Sequence, residues 1–98
     1  MNQYMVDIDL PEDVTEEFVA LIPEQRAQIN DLMASGTVIS YTLSLDRTKV
    51  WAIINANNTA EVQEILEAMP MVDFMASTIY ELAFHNVAGS GLPAISLN

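Results

Sequence analysis

The chain predicts an α+β fold of the ferredoxin-like kind: element order β-α-β-β-α-β, a four-stranded antiparallel sheet, and two helices on one of its faces. Three observations carry this. Four stretches read as strands, helical apolar patterns follow the first and third of them, and no linker or internal repeat divides the chain. At 98 residues it makes one domain, expected over 1–86, with 87–98 as a C-terminal tail.

The first strand spans residues 3–10, where Tyr4, Val6, Ile8 and Leu10 alternate with Gln3, Met5, Asp7 and Asp9. Pro11 ends it. Residues 13–35 are helical, with Phe18, Leu21 and Ile22, then Ile29, Leu32 and Met33, at i, i+3, i+4 spacing, and Gly36 at the position of a C-cap. Pro23 lacks an N–H and clashes with the turn before it. It therefore predicts two helical pieces, 14–22 and 23–35, meeting at a kink, with Pro23 opening the second.

Residues 37–45 alternate again, with Ile39, Tyr41, Leu43 and Leu45 on one face and Val38, Ser40, Thr42 and Ser44 on the other. After the turn Asp46-Arg47-Thr48, residues 49–56 are apolar on both faces, as suits a central strand. Asn58 and Glu61 form a capping box for a second helix with the stripe Val62, Ile65, Leu66 and Met69, which Pro70 stops. The last strand is expected over 76–85, antiparallel to the first, with Glu81 approaching Asp7 and His85 approaching Gln3.

Two helices cover one face of such a sheet. The other face keeps apolar groups, so two sheets are expected to pair face to face in a homodimer, a dimeric α+β barrel, or a larger assembly of dimers. The uncharged tail either lies on a neighbouring subunit through Leu92, Ile95 and Leu97 or frays.

Fourteen acidic residues stand against three basic ones, a net charge of -11. Arg26, Arg47 and Lys49 cannot build the basic stripe that nucleic acid requires. With no bilayer-length apolar run and no signal-peptide pattern, a cytoplasmic protein without membrane association is expected. The absence of cysteine excludes disulfides, thiolate catalysis and Cys-based zinc sites. No phosphate loop, nucleophile elbow, His-Glu-x-x-His pattern or nucleotide fingerprint occurs, which speaks against kinases, serine hydrolases and zinc proteases.

His85, the only histidine, is a candidate acid-base group or else a surface or interface residue at a strand end. Asp7, Asp9, Glu81 and His85 show no recognised ligand spacing, so a solvated face is expected and no metal site. In a chain this acidic, an arginine beside a pocket is the natural partner of a carboxylate ligand. Arg26 either serves that role or pairs with Glu16, Glu17 or Asp31, while Arg47 is expected to cap the hairpin. Tyr41, Trp51 and the methionines line an adaptable apolar cavity or pack the core.

Leu10-Pro11-Glu12-Asp13, Gly36-Thr37, Glu64-Ile65-Leu66 with Met69-Pro70-Met71, and Leu82-Ala83-Phe84-His85 together resemble the muconolactone delta-isomerase family. The resemblance covers nearly the whole chain. It implies dimeric α+β barrels, often built into decamers, no cofactor, and a proton shift in a small lactone carboxylic acid, with a base near the α-carbon and hydrogen-bond donors for the enolate. Carried over by position, it puts Gln25 at the family's helix glutamate, Thr48 at its tyrosine and Val50 at its asparagine. An amide is no carboxylate base, valine donates no hydrogen bond, and threonine is shorter and far less acidic than tyrosine. Glu24 is about 100° further round the helix and reaches the site only if Pro23 re-aims it. The expected site therefore has Glu24 and His85 as catalytic candidates, and Gln25, Arg26, Tyr41, Thr48 and Trp51 as substrate-binding residues. The expected function is binding or transforming a small organic acid or lactone, or else a non-enzymatic binding or assembly module.

Overall fold

The strands β1 (Asn2–Asp9), β2 (Val38–Leu43), β3 (Lys49–Ala56) and β4 (Ala76–Glu81) and the helices α1 (Glu16–Ala34) and α2 (Thr59–Glu67) follow in the predicted order. The computed structural model describes residues 1–88; the tail residues Leu92, Ile95 and Leu97 lie outside that range. All pairings are antiparallel and the sheet order is β2-β3-β1-β4, which makes a ferredoxin-like sheet with β1 and β3 at its centre.

The period-two pattern of β1 becomes a buried face and a half-wet one. Tyr4, Val6 and Ile8 are at most 1% exposed, and they stand opposite Ile54, Ala52 and Val50 of β3. On this side Ile29 of α1, Val62 and Leu66 of α2, Val38 and Met69 complete the core. The opposite side carries Met5 across from Ile53 and Tyr80, and Asp7 across from Trp51.

Helix α1 begins where the Thr15 hydroxyl accepts the Phe18 N–H at 3.1 Å, with Glu16 and Glu17 at the positive end of the helix dipole. It ends in a Schellman motif: Thr37 N–H bonds Leu32 C=O at 2.9 Å and Gly36 N–H bonds Met33 C=O at 3.1 Å. Gly36 takes φ 79°, a left-handed conformation that a Cβ would strain.

Between these caps α1 is one continuous helix that includes Pro23, not two pieces. Pro23 and Val19, whose carbonyl loses its partner, are both exposed, so water can satisfy that oxygen. Phe18 before the proline and Gln25 and Ile29 after it are buried on one face, and that common burial holds both halves in one helix.

Three further expectations change. In β2 the register slips between Val38 and Ser40, so Val38 and Tyr41 both face the helices, opposite Ile54 and Ala52, instead of opposite ways. Leu45 lies beyond the strand and is fully exposed. In β4 the register sets Ile79 against Val6 and Glu81 against Tyr4, while Thr78 and not Glu81 faces Asp7. The ladder closes past Tyr4 with Leu82 N–H on Gln3 C=O at 2.9 Å, and β4 ends at Glu81, before His85, which does not pair with Gln3. The capping box of α2 is displaced by one residue: Asn58 Oδ1 accepts Glu61 N–H at 2.8 Å, but Glu61 Oε1 accepts from Asn57 N–H, at 3.3 Å.

Candidate functional site

Helix α1 turns Phe18, Ile22, Gln25, Ile29 and Met33 toward the sheet at intervals of three and four residues. Tyr41 and Leu43 of β2 and Val50 of β3 face them, with Leu10 and Val14 closing one end and Met71 contributing from the loop after α2. Together with Arg26, Asn30 and Arg47 they enclose a cleft of about 460 Å³. Its depth sorts its chemistry. Phe18, Gln25, Ile29, Val50 and Met71 are at most 8% exposed and form the floor, while Val14, Arg26, Asn30, Met33, Leu43 and Arg47 are exposed and form the rim. Phe18 is steadied edge-on by Phe74, ring centroids 5.4 Å apart.

Gln25 is the single buried polar side chain among the described residues. Its Oε1 accepts the Met71 N–H at 3.1 Å, and its Nε2 lies 3.4 Å from Met69 Sδ. One side chain thus ties α1 to the turn at Pro70.

The β2–β3 hairpin places Arg47. Asp46 Oδ1 accepts from the Ser44 hydroxyl at 2.7 Å, the Thr48 hydroxyl at 2.8 Å and the Thr48 N–H at 3.1 Å. The Ser44 bond first, then those from Thr48, hold the Asp46 carboxyl below its ordinary pKa. Arg47 takes φ 66° at the tip, and its N–H bonds Ser44 C=O at 3.0 Å.

The basic residues divide sharply. Lys49 Nζ sits 2.8 Å from Asp9 and 2.9 Å from Asp7 on the far face of the sheet. Asp9 first, then Asp7, hold its ammonium above its ordinary pKa, and the buried Asp7 Oδ1 is secured by that ion pair with no well-formed hydrogen bond. Among the described residues Arg26 and Arg47 form no ion pair, and both stand on the rim of the cleft.

Of the residues singled out from sequence, Gln25, Arg26 and Tyr41 come together here. Glu24 faces another way, into a shallow groove with Ala27, Gln28, Asp31 and Pro70. Thr48 spends its hydroxyl on Asp46, Trp51 projects from the opposite face of the sheet, and His85 lies past the end of β4. Arg47 belongs to the rim as well as to the hairpin tip. Phe18, Ile29 and Met33 were legible as an apolar helix stripe and Met71 only as one of the methionines expected to line a cavity or pack the core, while nothing in the sequence marked Asn30 as their companion. Among the described residues no group of three or more His, Asp or Glu is placed to hold a metal ion, and no helix is long and apolar enough to cross a membrane.

The model of the muconolactone delta-isomerase family matches residues 3–88. The chain belongs to that family. The fold of this muconolactone delta-isomerase family member is similar to a crystal structure of muconolactone isomerase, with a TM-score of 0.70, 15% identity, and coverage of 85% of this chain and 90% of that one. It is also similar to 5-chloro-2-hydroxyhydroquinone dehydrochlorinase from Burkholderia phenoliruptrix, solved with 2,5-dihydroxybenzoquinone, with a TM-score of 0.63, 14% identity, and coverage of 85% and 95%. At such identities the likeness establishes the fold alone. No curated protein sequence matches this family member.

Proposed function

We propose that this family member binds a small organic acid or lactone in the α1 cleft, with Arg26 and Arg47 holding the carboxylate. The observation that carries it is the placing of charge: both arginines stand unpaired among the described residues, at one rim, in a chain of net charge -11. A guanidinium with no carboxylate partner among the described residues, at the mouth of an apolar cleft, is suited to a carboxylate brought by a ligand, and two of them focus an attractive field there. Binding without turnover is favoured over the family's proton shift. Gln25 stands where the resemblance puts the family's glutamate, both ends of its amide face the loop at Pro70, and no described residue lining the cleft is a carboxylate or an imidazole.

Thermal-shift titration tests this. Small carboxylic acids are expected to stabilise the protein and their methyl esters to fail. The Arg26→Gln/Arg47→Gln variant should bind acids at least about tenfold more weakly, since a hydrogen bond to a charged group contributes ~1.5–3 kcal/mol. If neither acids nor lactones shift the melting temperature, the cleft is not their site.

The same protein is proposed to be a homo-oligomer, paired through the sheet face that carries Met5, Trp51 and Tyr80, with Trp51 37% and Tyr80 53% exposed. Sedimentation at micromolar concentration should show at least a dimer, and Trp51→Glu should dissociate it. A monomeric wild type removes the assembly.

A further inference from the structure

We infer that the cleft selects a lipophilic monocarboxylate, an alkyl or arylalkyl chain with one terminal carboxylate, over short or hydroxylated acids; this rests on the carboxylate-binding role of Arg26 and Arg47 proposed above. The first reason is volume. The cleft holds about 460 Å³, equivalent to about 15 waters at roughly 30 Å³ each, which a short acid leaves largely unfilled.

The second reason is where polar groups are absent. Phe18, Ile29, Val50 and Met71 make the floor, and the one polar side chain there, Gln25, is engaged by Met71 N–H and Met69 Sδ. A hydroxyl or lactone carbonyl pushed to that depth loses its water and gains little in return, whereas a methylene loses nothing. Thioether and aromatic walls adapt to an alkyl chain or a ring alike.

The third reason is the position of charge. Both guanidiniums belong to the exposed rim and no cationic residue reaches the floor, so a second carboxylate at the far end of the ligand would be buried without a partner. The rim itself leaves Val14 61%, Met33 42% and Leu43 45% exposed, apolar surface that the proximal part of a chain would cover on its way past the arginines.

Calorimetric titration of the full chain with butanoate, hexanoate, octanoate, decanoate and 4-phenylbutanoate, each below its micelle concentration, tests the assignment. Decanedioate, decan-1-ol and a hydroxylated γ-lactone acid serve as comparators. Affinity is expected to rise by up to about fourfold per methylene until the cleft is full, with decanedioate and the lactone acid at least tenfold weaker than decanoate. Arg26→Gln/Arg47→Gln should weaken all the monocarboxylates in parallel, and Met33→Gln, on the exposed rim that the proximal chain crosses, should weaken octanoate and decanoate by at least about threefold. Butanoate, decanedioate or the lactone acid binding as tightly as decanoate overturns the lipophilic assignment and leaves carboxylate binding standing. Decan-1-ol binding as tightly as decanoate, or no acid binding at all, removes both. A decanoate affinity untouched by Met33→Gln puts the chain on another surface and also overturns the assignment.

Discussion

Gln25→Ala is expected to lower the free energy of unfolding by about 2–4 kcal/mol, the sum of a cavity in the floor of the cleft and a buried donor left without an acceptor. The donor is the Met71 N–H, which meets Gln25 Oε1 at 3.1 Å in a region where Gln25 is 5% and Met71 6% exposed. Water has little access to replace the lost acceptor. Gln25→Glu separates the two contributions, because it fills the same volume and still accepts from Met71. Its second oxygen, however, faces Met69 Sδ, where the amide had presented N–H. A carboxylate there is disfavoured by burial, so its pKa in the folded protein lies above the unfolded value of about 4.3. The folded state then binds more protons between those two values. Gln25→Glu should accordingly be near wild type in acid and lose stability as pH rises through the folded pKa. Urea titrations at about pH 4 and about pH 8 read both effects. Wild-type stability in Gln25→Ala, or an equal deficit of Gln25→Glu at both pH values, would mean that the bridge to the Pro70 turn contributes nothing.

Pro23→Ala is expected to act in the opposite direction, raising stability by about 1–3 kcal/mol. Alanine restores the N–H that Val19 C=O lacks and removes the ring from the preceding turn, gains of roughly 3 kcal/mol in a helix interior. Against that, the unfolded chain regains freedom worth about 0.4–1 kcal/mol. Pro23 is exposed and does not line the cleft, so ligand affinity should be unchanged. Chemical denaturation measures the gain. A loss of stability would show that the proline fits α1 better than a regular turn does.

Both predictions concern positions where local pattern and tertiary packing disagree. The alternation of Tyr4, Val6 and Ile8 and the stripe Val62, Ile65 and Leu66 could be read directly, because each reports which side of an element is buried. Pro23 was misleading for the same reason: in isolation its effect on helix α1 is unfavourable, and only the shared burial of Phe18, Gln25 and Ile29 outweighs it. Likewise Val38 and Tyr41 could not be assigned to one face of β2 before the slipped register was known, since a bulge leaves little trace in composition. The pairing of Glu81 with Tyr4 instead of Asp7 is of the same kind. An odd shift in register exchanges the faces, and Ile79 settles it by packing against Val6 in the core.

The candidate site was legible only in fragments. Gln25 and Arg26 stood out because an amide and a scarce cation followed an unexpected proline, and Tyr41 because a large aromatic faced the core. Glu24 and Trp51 were equally plausible by residue type, yet one helix position turns Glu24 into another groove and one strand position turns Trp51 to the other face. What the sequence by itself determined is the kind and order of the elements, the α+β class, the family and the scarcity of positive charge. Tertiary structure alone decided that α1 runs unbroken past Pro23, that Gln25 is a buried bridge, and that Arg26 and Arg47, on a helix and on a hairpin tip, share one apolar cleft while Lys49 is taken by Asp7 and Asp9. Periodicity records that a side chain is buried or wet; which distant group it meets depends on register and crossing geometry, and those are set by the whole core at once.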